Sequence, residues 1–211
     1  MEKQIERIKE KLAQLKNADT KLSLFGANTH EYTLNDVLSE NDIKAFESKY
    51  GIKLPEEFAM FLTKVGNGGA GPFYGLEPLQ DTIYSDLDYK NEENILDPSK
   101  PFPHTEYWNM EFEPTVDEDD DEAYDEEFEA FAEEYYSKDL ISGALSICNY
   151  GCGLIIMLVV NGEEYGYLWV DDRGNDGGIA PSEELGNKDK IKFLDWYELW
   201  LDKSHKEIKS K

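Results

Sequence analysis

Cysteine and histidine are scarce in this sequence of 211 residues. There are two cysteines, Cys148 and Cys152, and three scattered histidines, His30, His104 and His205. Two cysteines are too few for a disulfide framework, and a structural zinc site needs four nitrogen or sulfur ligands. We therefore expect reduced thiols in a cytosolic protein, with no metal and no cofactor.

Long hydrophobic runs are also missing. The N-terminal stretch MEKQIERIKEKLAQLK has no apolar signal core. The longest apolar run, LIIMLVV, is far too short to cross a bilayer. These absences predict a soluble chain in the cytoplasm.

Basic residues are outnumbered by acidic ones. Lys and Arg total 21 against 46 Asp and Glu, which gives a formal net charge of −25. A surface of this sign repels nucleic-acid phosphates and anionic lipids, so we expect neither nucleic acid nor membrane as a partner. The same charge attracts and steers a basic protein. An aromatic content of 13% indicates a folded chain.

Three helices are predicted in the first third of the chain and one at its end. Apolar residues at helical spacing mark residues 2–16. Ser39 with Asp42 resembles a capping box before a second helix that Gly51 ends. Pro55 suits the first turn of a third helix. The closing stretch DKIKFLDWYELWLDKSHKEIKSK predicts a helix with an aromatic face.

Strands are predicted between about residues 143 and 181. The runs GALSICNYGCG, LIIMLVVNGEEYGYLWVDD and GGIAP are rich in β-formers and separated by turn residues. The Asn161-Gly162 pair is typical of a two-residue type I′ hairpin turn. Helices, then antiparallel strands, then a helix predict the α+β class, with a curved, mostly antiparallel sheet flanked by helices.

The stretch TKVGNGGAGPFYGLEPLQ raises the possibility of a phosphate-binding loop. Such a loop places glycines between a strand and the start of a helix, with Lys and Ser/Thr after them. Here the glycines follow a helix and precede a strand-like YGLEPL. We therefore expect a structural turn, with Gly66 or Gly68 as a helix C-cap.

Two other segments have features of chemical sites. The loop DRGNDGGIAPSE has the spacing of a calcium-binding EF-hand from Asp172 to Glu183, but Gly174 removes one ligand and a strand precedes it. It is expected to be a polar loop between strands. His104 has no neighbouring Ser or Cys that would make a catalytic triad, so no catalytic residues are assigned.

An acidic segment interrupts the pattern at about residues 81–140. Residues 111–134 carry fourteen Asp or Glu and no Lys or Arg, interleaved with aromatic residues, and a helix is predicted near 122–137. Two interpretations stay open: a solvated loop, and a docking surface for a cationic partner with aromatic anchors. Either way, residues 1–211 are predicted to form one domain that carries this segment as a surface insertion.

Five short motifs in order resemble the SUKH superfamily, the family of the fungal cell-wall-synthesis regulator. They are Leu54-Pro55, Asn67-Gly68-Gly69, Gly75-Leu76-Glu77-Pro78-Leu79, Gly151-Cys152-Gly153 and Gly166-Tyr167-Leu168-Trp169. The resemblance implies an α+β domain without catalytic residues. It also implies either a bacterial immunity protein that binds and blocks a secreted toxin, often a nuclease, or a regulator of cell-wall glucan synthesis.

The acidic insertion is longer and more acidic than the usual connection in that family, so we expect partner choice to lie there. The expected function is a non-enzymatic immunity protein that occludes the cationic cleft of a basic toxin. A regulatory scaffold is the second hypothesis, and an enzyme or sugar-binding module with a deep pocket is the third. The expected partner-binding residues are the acids Asp117, Asp119, Asp120, Asp121, Glu126 and Glu127, with the anchors Tyr107, Trp108 and Tyr124.

Overall fold

A computed structural model describes residues 1–116 and 121–210, and its architecture confirms the predicted α+β class. The α-helices of this part of the chain are α1 (Glu2–Ala18), α2 (Ala27–His30), α3 (Glu40–Tyr50), α4 (Glu56–Lys64), α5 (Asp121–Tyr135) and α6 (Phe193–Ser210). Its strands are β1 (Ala144–Gly151), β2 (Leu154–Val159), β3 (Leu168–Asp171) and β4 (Ile179–Pro181). None of the described helices is long and apolar enough to span a membrane.

The ends of helix α3 form as the sequence predicts. Ser39 Oγ accepts a hydrogen bond from the Asp42 amide, and the Asp42 carboxylate accepts one from the Ser39 amide, which is a complete capping box. Gly51 ends the helix in the left-handed conformation, at φ +66°.

The four strands form an antiparallel sheet in the order β1-β2-β3-β4. The tight two-residue turn joins β1 to β2, where Cys152 and Gly153 have φ +54° and +79°. The predicted type I′ turn at Asn161-Gly162 is wrong. Only Gly162 of that pair has positive φ, and eight residues separate the end of β2 from the start of β3.

One face of the sheet packs against helices. Ile156, Leu158 and Val170 project into a core that also contains buried residues of α1, α4 and α6. The aromatic face predicted for α6 is buried there: Phe193, Trp196, Tyr197 and Trp200.

The opposite face of the sheet is covered by the segment at about residues 81–140. Leu87, Leu96 and Phe102 pack with Met157 and Trp169 in a second core. The central strands are therefore buried on both sides, which explains the unbroken apolar run LIIMLVV. The inner part of the acidic segment completes the core. That residues 1–211 form a single domain with an insertion stays a prediction.

The glycine-rich stretch is a turn held close to other backbone. Gly69 and Leu76 exchange hydrogen bonds of 2.8 and 2.7 Å, and a side chain on Gly69 would meet the Thr33 carbonyl oxygen at 2.4 Å. Neither Gly66 nor Gly68 is the cap residue of α4, so that detail is wrong. The helix ends at Lys64, and its cap residue is Val65 in the right-handed conformation. The glycines are needed further along the chain, where a side chain would clash with neighbouring atoms.

The loop with EF-hand spacing connects β3 to β4, as expected. The amides of Asp172 and Gly177 donate to the carbonyl oxygens of Gly178 and Asp172, at 2.8 and 2.9 Å. Within residues 1–116 and 121–210, no group of three or more His, Cys, Asp or Glu is placed to hold a metal ion.

Candidate functional site: the acidic aromatic surface of helix α5

Helix α5 is attached to the body of the protein by a line of aromatic rings. The rings run from the surface to the sheet, with centroid separations of 5.3 Å for Phe112–Phe131, 5.2 Å for Phe131–Tyr135, 5.8 Å for Tyr135–Trp108, 5.4 Å for Trp108–His104 and 6.3 Å for His104–Trp169. These stacked and tilted ring contacts favour one arrangement over others. The helix therefore has a defined position on the sheet.

The C-terminal end of α5 is fixed by a buried arginine of the β3–β4 loop. Arg173 donates to the carbonyl oxygens of Tyr135 and Ser137, at 2.8 and 3.0 Å. Its remaining nitrogens contact both carboxylate oxygens of Asp171 at 2.7 Å. A cation at a helix C-terminus opposes the negative end of the helix dipole and satisfies free carbonyl groups. The loop that resembles a calcium site thus serves to cap α5.

The outward side of α5 is acidic. Asp125, Glu126 and Glu129 are exposed, as are Glu133 and Glu134. In the described part of the chain, no acid between residues 111 and 134 forms an ion pair. No Lys or Arg occurs from residue 101 to residue 137. These carboxylates are free to attract a cation from solution.

The predicted charge residues fall into three groups. Asp117, Asp119 and Asp120 lie outside the described residues, and Asp121 begins α5. Glu126 is exposed on the outward side of the helix.

Glu127 has a structural contact as well. It accepts hydrogen bonds from the amide and the hydroxyl of Thr115, and these bonds lower the pKa of its carboxyl group. It ties the helix to the segment that precedes the undescribed residues.

The three predicted anchors differ in how much ring they expose. Tyr107 is 59% exposed. Trp108 is half-buried because its backbone pairs with Ile179 and its ring stacks on Tyr135. Tyr124 is half-buried with its ring edge-on to Phe112 at 5.5 Å. Their role as partner-binding residues stays a prediction.

Two exposed aromatic residues were missed as site candidates. Phe128 is 46% and Tyr136 is 50% exposed. Phe128 shares helical spacing with Phe131 and Tyr135, the pattern from which the helix near 122–137 is predicted. The available signal for Tyr136 is its position next to Tyr135, because consecutive helical positions point about 100° apart and a ring beside a buried one lies towards the edge of the buried stripe.

These residues border a hollow that we call the α5 groove. It has a volume of about 400 Å³ and is lined by Met110, Glu111, Phe112, Phe128, Phe131 and Tyr136, together with Asn109 and Asp176. A second hollow of about 460 Å³ lies on the other side of Tyr136, next to Asp86, Asp88 and Tyr89. Tyr136 therefore forms a ridge between two acidic hollows.

A further hollow between α1 and α4 has a different character. Its volume is about 640 Å³, and its lining mixes acids such as Glu6 with Arg7, Lys3 and Lys64. Arg7 is already paired with Glu198 at 2.9 Å. Its charges are balanced. They lack the single sign of what we call the α5 surface, which is the exposed side of α5 and the adjoining ring: Asp125, Glu126, Phe128, Glu129, Glu133, Glu134 and Tyr136.

Comparison with protein families shows where this chain belongs. The sequence model of the SMI1 / KNR4 family (SUKH-1) matches residues 37–184. The chain belongs to this SUKH-1 family. No curated protein and no solved structure matches it significantly.

The SUKH-1 match covers α3 to α5, the sheet and the second core, but not α1, α2 or α6, which contribute to the first core. It begins just before α3 and ends just after β4, so α5 and the α5 groove lie inside it. All five motifs that resemble the family also lie within the matched residues. Membership in the SUKH-1 family supports an immunity or regulatory role that works through protein–protein interaction.

The buried titratable groups of this SUKH-1 protein are part of the core. Burial raises the pKa of the Cys148 thiol and lowers that of His104. His104 Nε2 donates to the Leu140 carbonyl oxygen at 2.8 Å, among the rings of Phe102 and Trp108. Neither group lines the α5 groove.

Proposed function

We propose that this SUKH-1 protein is an immunity protein that acts in the cytoplasm by binding a basic toxin protein and covering its active cleft. The α5 surface is the contact surface, and the toxin is a nuclease. The protein acts by binding alone, without catalytic residues or a cofactor.

The observation that carries the proposal is the set of exposed, unpaired carboxylates on α5 beside the exposed rings of Phe128 and Tyr136. A nuclease cleft has to be cationic because it holds phosphates. An acidic surface steers such a cleft into contact over distances near the Debye length, about 8 Å at physiological salt. Aromatic side chains that are buried on binding then slow dissociation.

The charge residues of the proposal are Asp117, Asp119, Asp120 and Asp121 at the start of the run, with Glu126 and Glu127 on α5. Tyr107 and the rings of Phe128 and Tyr136 provide the anchors with free surface, and Trp108 and Tyr124 are half-buried anchors. This division of roles follows from the exposure of each ring.

The test is association kinetics with the product of a neighbouring toxin gene, after co-purification has shown that the two proteins form a complex. Neutralising residues 117–121, or making Glu126→Gln, Glu129→Gln and Glu133→Gln together, should slow association about three- to tenfold at low salt in stopped flow. The difference should shrink as salt is added.

The matched control carries Asp36→Asn, Glu163→Gln and Glu183→Gln, three exposed acids outside the α5 surface. It changes the net charge by the same amount as the triple variant of Glu126, Glu129 and Glu133. It should slow association much less than that variant does. Equal slowing in the two triple variants would show that net charge alone matters and would remove α5 from the interface. Association that none of these variants affects would contradict the steering proposal.

The regulatory scaffold is the alternative within the same family. A scaffold would bind a cellular protein, and no secreted toxin would be encoded beside it. A complex with an endogenous protein, and none with a toxin, would favour that alternative.

A further inference from the structure

The α5 groove has a size that suits one long side chain. Its volume of about 400 Å³ lies at the small end of the range for protein binding sites. The floor is aromatic: the ring of Phe112 lies 5.3 Å from that of Phe128 and 5.3 Å from that of Phe131. Tyr136, half exposed, forms one wall.

The walls of the groove are held in place before any partner arrives. Asn109 accepts a hydrogen bond from Tyr135 Oη at 2.7 Å and donates one to the Asp176 carbonyl oxygen at 2.9 Å. Asn109 thus links α5 to the β3–β4 loop. Arg173 fixes the same loop to the end of α5. A preformed slot costs less ordering on binding than one that must assemble.

The electrostatic character of the groove selects a cation. The exposed carboxylates of Glu111 and Asp176 lie among its lining, and neither forms an ion pair within the described part of the chain. Arg173, which is close in sequence, is committed to Asp171 and to helix carbonyl groups. Aromatic faces add further attraction for a cation that lies over them.

We infer that the α5 groove binds an arginine side chain of the partner protein, with the guanidinium over the Phe112, Phe128 and Tyr136 rings and paired with Glu111 or Asp176. This inference rests on the proposed function, in that it takes the partner to be a basic protein. Arginine fits better than lysine because a planar guanidinium stacks on rings and pairs with a carboxylate through two nitrogens, whereas a compact ammonium group is strongly hydrated.

The test needs no toxin. The intact chain, ¹⁵N-labelled, is titrated with the tripeptide amide Ac-Gly-Arg-Gly-NH₂, and with matched peptides that carry Lys or Gln in the middle. The arginine peptide should shift the amide resonances of Phe112, Phe128, Tyr136 and Asp176. It should bind at least about threefold more tightly than the lysine peptide, and the glutamine peptide should cause no saturable shift there.

Two variants and two matched controls locate the contact. Phe128→Ala, and Glu111→Gln together with Asp176→Asn in one chain, should each weaken the arginine peptide at least about fivefold. Asparagine tolerates the left-handed backbone of position 176, where φ is +58°. Phe25→Ala and Asp36→Asn alter an exposed ring and an exposed acid outside the groove and should leave binding unchanged. Dispersed spectra identify folded variants.

The outcomes separate this inference from the proposed function. Equal shifts with the Arg and Gln peptides, or shifts that map elsewhere, overturn the arginine slot even if a toxin binds. A peptide that binds in the groove, together with a chain that binds no toxin, supports the slot and overturns the immunity role. Loss of both peptide and toxin binding in Phe128→Ala supports both.

Discussion

Helices α5 and α6 are both amphipathic, aromatic and acidic in part, yet the protein uses them differently. In α6, Phe193, Trp196 and Tyr197 are fully buried. In α5, Tyr135 is buried, but Phe128 and the neighbouring Tyr136 are about half exposed. An aromatic helix that buries its whole stripe stabilises the core, whereas one that leaves rings in water keeps surface available for a partner.

Their charges differ in the same way. Glu198 of α6 lies within 2.9 Å of both Arg7 and Lys11 of α1. Among the residues that the structure describes, no Lys or Arg pairs with a carboxylate of α5, and like charges spaced four apart, such as Glu122–Glu126 and Glu129–Glu133, repel one another. The paired acids of α6 join two helices of one molecule. The unpaired acids of α5 repel one another and destabilise the isolated protein, and a cationic partner would remove that repulsion.

Truncation of one aromatic ring in each helix should give the largest difference in stability between α6 and α5. We expect Trp196→Ala on α6 to lower the free energy of unfolding by about 3–5 kcal/mol, because it leaves a large cavity. Phe128→Ala on α5 should cost less than about 1 kcal/mol. Urea unfolding followed by circular dichroism measures both. If Trp196→Ala does not fold, Trp196→Phe should still lose more than Phe128→Ala, and equal losses would contradict the comparison.

The attachment of α5 should depend on one buried guanidinium. We expect Arg173→Met to lower the free energy of unfolding by about 3 kcal/mol, since it leaves Asp171 as an unpaired buried charge and frees two carbonyl groups of the α5 end. Hydrogen exchange should quicken in the last turns of α5 before it does in α6.

The control for Arg173 is Lys100→Met, which removes an exposed ion pair with Asp139 and should change stability by about 0.5 kcal/mol or less. Unchanged exchange in α5 of the Arg173→Met protein would mean that the arginine does not hold the helix.

Acidic pH should weaken the contact between α6 and α1, because it protonates Glu198. Hydrogen bonds from Arg7 and Lys11 lower the pKa of the Glu198 carboxyl group from 4.5 to about 2. A carboxyl group with a lower pKa when folded stabilises the protein above pH 4.5, and that stabilisation is lost as the pH falls from 4.5 towards 2. The loss should be on the order of 1 kcal/mol, because Arg7 is half exposed and water screens the pair.

Urea midpoints between pH 5 and pH 2 measure this effect. Glu198→Gln and Arg7→Gln should both flatten the dependence relative to the unaltered chain. A dependence that keeps its full slope in both variants would assign the acid sensitivity to other groups.

Local signals in the sequence predicted the helices well. The capping box at Ser39 and Asp42 and the glycine stop at Gly51 act within one turn of chain, and they form as predicted. The strands were also located, because apolar runs between turn residues reflect burial directly. What fails is the choice between two turns. Asn161-Gly162 has the favoured composition, but Cys152-Gly153 makes the tight turn. Strand register across the sheet decides which pair of residues forms the two-residue turn.

The candidate site could be predicted only in part. Its charge is evident from composition, and the helix that carries it from periodicity. The dual role of the acidic segment could not be seen, because Phe102 and Leu96 meet Met157 and Trp169 only after the chain has folded back over the sheet. Likewise, Trp108 loses much of its exposure to a backbone pairing with Ile179, 71 positions away in the sequence.

The β1–β2 hairpin places two thiols in opposite environments, Cys148 within strand β1 and Cys152 in the turn. Cys148 is enclosed in the core with a raised pKa, whereas Cys152 is exposed, and its carbonyl oxygen accepts a hydrogen bond from Asn175 of the β3–β4 loop. Since the thiolate is the reactive form, a maleimide dye should attach at one position of the native molecule. Fluorescence from that single label would report movement of the loop that holds α5, on unmutated protein and in real time.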